Sequence, residues 1–290
     1  MKTVKSPAVL YKSLKKFRSA GKAIGFVPTM GALHAGHLSL IRQARKENAI
    51  VVVSIFVNPT QFGPKEDLKK YPRALNKDLA FCRKERVDFV FLPRTKEMYR
   101  EGFSTYVNVE RLSEALCGKS RPGHFRGVAT IVAKLLNIIQ PDSIYLGQKD
   151  AQQAIIVRRM VKDLNIPVRV KIMPTVRQKD GLALSSRNSY LNSKERKEAS
   201  VLSAALNLAK LLIRSGARDA SRIISRMRRL INQKKNAGID YIAIVDAESL
   251  KPVRKISGEY LIALAVRIGP TRLIDNFQGR FSTQSESVPR

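Results

Sequence analysis

The sequence predicts an α/β protein: an open parallel sheet with helices on both faces, followed by a smaller α+β domain. Three observations carry this. Through residue 175, short apolar strands alternate with helical patterns, the order that builds a parallel sheet under crossover helices. Ile50 to Val57 is an apolar run rich in β-branched residues, interrupted only by Ser54, as expected of a central strand buried on both faces. After Pro174 the order changes to helices and then strands. The predicted domains are therefore 1–175, the sheet domain, and 176–290, the smaller one.

Along the chain, Val9 to Phe17 alternates apolar residues with lysines and reads as an amphipathic helix rather than a secretion signal, which needs an unbroken apolar stretch. Ile24 to Val27 reads as a strand, followed by a helix from about His37 to Glu47. After the Ile50 strand come a helix from Leu75 to Glu85 and a strand from Val87 to Leu92. A strongly apolar helix spans Gly127 to Ile139, then a strand Ser143 to Leu146, a helix Asp150 to Leu164 and a strand Val168 to Met173. The second domain is predicted to hold helices over Ser193 to Arg214 and Asp219 to Lys235, then strands near Tyr241 to Val245 and Tyr260 to Val266. The polar tail from Gln278 is expected to fray.

Composition narrows the classes. An apolar content of 44% with 13 prolines indicates a folded globular chain with a sizeable core. No apolar run approaches the ~20 residues that span a bilayer, so no membrane partner is expected. Cys82 and Cys117 form no CxxC pair and no disulfide framework, which points to a cytoplasmic protein with reduced thiols. The net charge of +31 raises nucleic acid as a partner. Arg218, Arg222, Arg226 and Arg229 fall on one face of a predicted helix. The face lacks interleaved aromatics and any nucleic-acid motif, so it reads as a solvated face and nucleic acid is not expected.

Three separated segments carry the chemistry: Pro28 to His37 (PTMGALHAGH), Gly147 to Asp150 (GQKD) and Leu184 to Asn188 (LSSRN). The first lies where a strand gives way to a helix, where unpaired backbone N–H groups and the helix dipole attract phosphate. Gly31 and Gly36 allow close approach. His34 and His37, three residues apart, share a helix face and can donate together to phosphoryl oxygens. Lys149 can neutralise a polyphosphate, while Asp150 can cap the next helix or bond a ribose hydroxyl. Ser185, Ser186 and Arg187 supply hydroxyls and a guanidinium for a closing loop. The zinc-protease pattern H-E-x-x-H and the dinucleotide fingerprint are absent. Gly118-Lys119-Ser120 resembles the end of a P-loop, but Ser113 stands where its leading glycine belongs. The inventory suits a nucleotide-using transferase or ligase with its site at the carboxyl ends of the strands.

Further segments extend the pattern: Phe56 to Phe62 (FVNPTQF), Tyr71-Pro72-Arg73, Arg121 to Gly127 (RPGHFRG), Gln152-Gln153, Asp180 to Asn188 (DGLALSSRN) and Thr271 to Asn276 (TRLIDN). With them the chain resembles, over nearly its whole length, the pantoate–beta-alanine ligase family of the nucleotidyltransferases, which carry a HIGH-like histidine motif on a Rossmann-like sheet. The resemblance implies a two-step reaction: ATP adenylates pantoate, and beta-alanine then displaces AMP. It implies that Met30, Gly31, Ala32, Leu33, His34, Ala35, Gly36 and His37 line the ATP site, with His37 and His34 catalytic. Gly147, Gln148, Lys149 and Asp150 would contact ribose and phosphates, Lys149 also serving catalysis, and the Val176 backbone would meet adenine.

On the same basis Leu184, Ser185, Ser186 and the catalytic Arg187 would grip phosphates from the smaller domain, acting as a lid. Gln61 and Gln153 would hold pantoate, with Gln61 also near beta-alanine. The family implies magnesium and a homodimer. One departure is Asn76-Lys77-Asp78, where relatives are more acidic; Asp78 is the one candidate protein ligand, and the ion is expected to sit chiefly on ATP. From the residues alone, another adenylyltransferase with a different acceptor, or an RNA-binding relative without catalysis, stays open.

Overall fold

The computed structural model describes residues 1–64 and 66–281. The chain divides into two compact units: Met1–Val176 with Leu184–Ser186, and Arg177–Ala183 with Arg187 onward.

The first unit contains β1 (Lys2–Val4), α1 (Pro7–Ser19), β2 (Ile24–Thr29), α2 (Ala35–Glu47), β3 (Ile50–Ile55), α3 (Leu75–Lys84) and β4 (Phe89–Phe91). Two four-residue helices follow, α4 (Thr95–Met98) and α5 (Cys117–Ser120), then α6 (His124–Ile139), β5 (Ser143–Gly147), α7 (Ala151–Asp163) and β6 (Arg169–Met173). The six strands run parallel in the order β1-β4-β3-β2-β5-β6. β3 is central, and Ile50 to Val53 are buried; burying each such side chain contributes about 1.5–3 kcal/mol. β2 feeds β3 and β4 on one side, whereas β5 feeds β6 on the other. The chain direction across the sheet thus reverses between β2 and β5, where open α/β sheets bind ligands beyond the strand ends.

The second unit packs α8 (Ser193–Ala199), α9 (Val201–Arg214) and α10 (Ala220–Asn232) with an antiparallel sheet of β7 (Ala237–Asp246), β8 (Gly258–Ile268) and β9 (Thr271–Phe281). Its core joins Leu202, Leu206, Ile223, Met227, Ile262 and Leu264.

Several expectations are corrected. The helix predicted over Ser193 to Arg214 is two helices broken at Ser200, the first closed by Asn192, whose Oδ1 accepts the Glu195 N–H at 2.9 Å. β1 and β9 lack a legible apolar alternation; on β9 the buried Asp275 shares the strand face of Leu273 and accepts two bonds from Arg177 at 2.6 and 2.9 Å, while Asn276 is buried on the opposite face. Gln278 to Phe281 belongs to β9, and the rest of the expected frayed tail lies outside the described residues. Arg222, Arg226 and Arg229 are exposed on α10, but Arg218 precedes that helix and stacks over Phe281 at 4.0 Å. Cys82 and Cys117 are buried and unbridged. Among the described residues no helix is long and apolar enough to cross a membrane.

Candidate active site

The site grows from the end of β2. Thr29, the last residue of the strand, is buried; its hydroxyl donates to the Ser54 carbonyl at 2.7 Å and accepts the Gly31 N–H at 3.2 Å. Met30 to Leu33 then turn sharply. Gly31 and Ala32 both take left-handed backbone, with φ of 85° and 51°, which glycine adopts freely and alanine only under constraint. The constraint is Asp78 on α3: its Oδ2 accepts the Ala32 N–H at 2.9 Å and its Oδ1 the Leu33 N–H at 2.8 Å.

His34 is the N-cap of α2 with extended backbone, and the helix begins at Ala35, earlier than the His37 start read from the pattern. The two imidazoles therefore do more than share a face. His34 Nδ1 accepts the Gly36 N–H at 3.2 Å, and His37 Nδ1 accepts the His34 N–H at 3.4 Å. A backbone N–H can only donate, so each ring carries its proton on Nε2. The ring centroids lie 4.1 Å apart. Burial, then the Lys149 charge, pushes His34 down to about 4; burial, then the neighbouring His34, pushes His37 down to about 3. Near neutral pH both are uncharged Nε2–H donors.

Lys149 and Asp150 come from the other side of the reversal, in a 3-10 turn, Gln148–Asp150, that joins β5 to α7. The Lys149 Nζ donates to Asp150 Oδ1 at 3.3 Å. Asp150 stands at the N-cap of α7 but makes no side-chain cap bond to it, which corrects the capping alternative. The Ser186 hydroxyl donates to the Ala32 carbonyl at 3.3 Å, and the Leu184 N–H to Val176 O at 3.0 Å. Leu184 to Ser186 thus belong to the first unit rather than to the smaller domain expected to carry them, while Arg187 belongs to the second.

Gln61, buried in a 3-10 turn (Pro59–Gln61) after β3, reaches Met30: its Nε2 donates to the thioether at 3.1 Å while Asn58 Nδ2 donates to its Oε1 at 3.1 Å. Gln152 and Gln153 both lie in the first turn of α7 but part company. Gln152 is buried, donating to Leu112 O at 2.9 Å and Ala115 O at 2.7 Å and accepting from Cys117 N–H at 3.1 Å. Gln153 is half-buried.

Asp78 is the one residue named above as a candidate protein ligand for magnesium. Both carboxylate oxygens are engaged by backbone N–H groups inside the protein, and burial raises the pKa of the group. Among the described residues no group of three or more His, Cys, Asp or Glu converges as a metal site. A protein-built magnesium cage does not fit this donor set. Sequence reasoning missed Thr29, the loop-holding role of Asp78, and Asn58 as the anchor of Gln61; Asp78 acts over 45 residues of chain, beyond any local pattern.

Two imidazole donors, a lysine and a helix N-terminus thus meet where the sheet reverses, with a buried glutamine amide beside them. The family model described as pantoate–beta-alanine ligase matches residues 2–278. The chain belongs to the pantoate–beta-alanine ligase family. It is an enzyme of the ligase class. Pantothenate synthetase from Fervidobacterium nodosum is 55% identical over 276 residues, 95% of this chain and 98% of that one. The enzyme from Caldicellulosiruptor saccharolyticus is 54% identical over 263 residues, 91% of this chain and 94% of its own. The crystal structure of pantothenate synthetase from Thermus thermophilus superposes with a TM-score of 0.91 at 45% identity, covering 96% of this chain and 99% of that one. Pantoate–beta-alanine ligase from Francisella tularensis, complexed with beta-gamma ATP and beta-alanine, gives a TM-score of 0.78 at 36% identity, covering 96% and 97% of the two chains.

Proposed function

We propose that the chain condenses pantoate with beta-alanine at the expense of ATP, through pantoyl adenylate. A pantoate carboxylate oxygen attacks the α-phosphorus and pyrophosphate leaves. The amine of beta-alanine then attacks the acyl carbon, the C–N bond forms, a proton leaves nitrogen and AMP departs with the acyl oxygen. Adenylation is needed because oxide is a poor leaving group and AMP a good one.

The observation that carries this reading is the pair of neutral Nε2–H donors at the start of α2. Charge builds on phosphoryl oxygens as the carboxylate attacks, and preorganised donors stabilise that charge without rearranging. His37 and His34 fill this role, and Lys149 offsets the phosphate charge. Met30 to Leu33 and the backbone at Ala35 and Gly36 shape the phosphate end, Gly147 to Asp150 the ribose end, and the Val176 backbone the adenine end. Leu184, Ser185, Ser186 and Arg187 are assigned to the phosphates and the second unit to the lid role, on family resemblance. Gln61 and Gln153 hold pantoate, with Gln61 beside beta-alanine; a thioether is a weak acceptor, so a substrate oxygen readily replaces Met30 as partner of the Gln61 amide. Magnesium enters with the ATP phosphates, since this ion commonly keeps phosphate and water ligands, and no step is assigned to a protein-bound metal. A cytoplasmic homodimer completes the reading, on family resemblance.

The test is AMP release by the purified chain with ATP and magnesium, omitting pantoate and beta-alanine in turn. AMP formation that needs both, with pantothenate identified by mass, is the expected result. AMP formation indifferent to pantoate would sink the reading.

A further inference from the structure

Gln61 is held from behind by a side chain that the reaction above does not use. His124, on the first turn of α6, has its Nδ1 at 2.8 Å from the Gln61 backbone carbonyl. A carbonyl only accepts, so Nδ1 carries the proton. On the far side of the ring, Nε2 lies 3.0 Å from Arg121 Nη1. A guanidinium only donates, so Nε2 accepts. Both partners therefore select one neutral tautomer, opposite to that of His34 and His37. Burial, then the Arg121 charge, pushes His124 down to about 4, consistent with a neutral ring.

Arg121 is itself fixed. Its Nε donates to Glu66 Oε1 at 2.7 Å and its Nη2 to Glu66 Oε2 at 2.5 Å, a two-pronged pair, and Nη2 also reaches the Gln61 carbonyl at 3.4 Å. Such forked pairs fix orientation as well as distance. α6 adds a second hold one turn later. A Cβ on Gly127 would run into the Thr60 carbonyl, so only glycine lets α6 sit this close to the Gln61 turn. The Gly127 carbonyl accepts from Asn58 Nδ2 at 3.1 Å, the same amide that donates to Gln61 Oε1. The helix thus sets the Gln61 backbone through His124 and its side-chain amide through Asn58.

We propose that His124 is a positioning residue for pantoate recognition: its Nδ1–H fixes the Gln61 backbone and so the place of the Gln61 amide, with Glu66 and Arg121 holding the ring. This rests on the reading that Gln61 binds pantoate. The residue acts through Gln61 and makes no substrate contact in this scheme.

Asparagine and glutamine separate the two ring nitrogens. The asparagine amide nitrogen takes the place of Nδ1 and keeps the donor to Gln61; the glutamine amide reaches the place of Nε2 and loses it. The experiment is steady-state kinetics and thermal denaturation of the full chain as wild type, Gln61→Ala, His124→Asn, His124→Gln and Glu66→Gln. His124→Gln should raise the pantoate KM about tenfold and His124→Asn by no more than about threefold, with the ATP KM steady in both, the range one lost hydrogen bond commands. Glu66→Gln should raise the pantoate KM in the same direction by loosening Arg121, and decides the matter should His124→Gln not fold. Equal pantoate KM values for the asparagine and glutamine variants, or an ATP KM rising in step, would overturn the proposal; so would an unchanged pantoate KM in Glu66→Gln. Gln61→Ala separates the two readings. If it leaves the pantoate KM unchanged, the assignment of Gln61 fails; if it raises that KM and the His124 pair do not differ, only the positioning role fails.

Discussion

The Asp78 carboxylate accepts the Leu33 N–H at 2.8 Å across 45 residues of chain, and this bond, with its twin to Ala32, pins the left-handed turn ahead of α2 to α3. An amide in its place offers one acceptor and turns an NH2 group toward the second N–H. Asp78→Asn should lower stability by about 2 kcal/mol, the cost of leaving a buried donor without an acceptor, and weaken ATP binding as the left-handed Gly31-Ala32 turn loosens. The half-saturating magnesium concentration at saturating ATP should not move. A large rise in that concentration with ATP affinity intact would restore Asp78 as a metal ligand.

His37 tests the donor assignment. Its working atom is Nε2–H, because Nδ1 is occupied by the His34 N–H. His37→Ala should lower kcat about a hundredfold or more, as loss of a transition-state donor does, while the ATP dissociation constant changes little. His37→Gln, whose amide reaches the Nε2 position, should recover part of the loss. Equal damage to kcat and to ATP affinity would mean that the ring serves binding rather than the transition state.

All three histidines of the chain are pushed far below their ordinary 6.5: His34 and His124 to about 4, His37 to about 3. At pH 5 the unfolded chain binds protons on these rings and the folded chain does not, so stability rises with pH through this range. The stability is fully present above about pH 6.5 and falls as pH drops toward 4. Thermal denaturation without substrates from pH 7.5 to 5 should give a slope approaching three protons taken up on unfolding, and His124→Asn should reduce it by one. Asp78, whose pKa is raised by burial, titrates with the opposite sign and tempers the slope at the acid end. A flat profile over this range would contradict the buried neutral rings.

Local pattern made much of this legible. The β-branched run at Ile50 announces a central strand because a strand buried on both faces needs apolar residues throughout. The glycine–histidine segment announces a strand-to-helix junction because strand, turn and helix start lie adjacent in sequence. What stayed hidden depends on distance. Nothing near Asp78 tells that its carboxylate serves a loop 45 residues away, and its acidity suggested a metal. Nothing near His124 marks its carbonyl partner, 63 residues away. β9 escaped because polar residues are buried on both of its faces, Asp275 on one and Asn276 on the other, where an alternating apolar face was sought.

The adjacent Gln152 and Gln153 look equivalent in sequence, yet α7 buries the first and leaves the second half-buried, and their alanine variants should dissociate cleanly. Gln152 uses both ends of its amide on the Leu112–Cys117 loop. Its removal takes the partner from the buried Leu112 carbonyl and the buried Cys117 N–H, while the Ala115 carbonyl keeps the Gly118 N–H, so Gln152→Ala should lower stability by about 2–4 kcal/mol and leave the pantoate KM close to wild type at temperatures where the chain is folded. Gln153 is half-buried and free of that duty, so Gln153→Ala should leave the melting temperature within about 2 °C, as surface changes do, and raise the pantoate KM about tenfold or more for a lost substrate hydrogen bond. Denaturation and substrate titration on the two variants decide it. A pantoate defect in Gln152→Ala with a normal melting temperature would exchange the two roles, because an amide that spends its bonds on the protein has none to give the substrate.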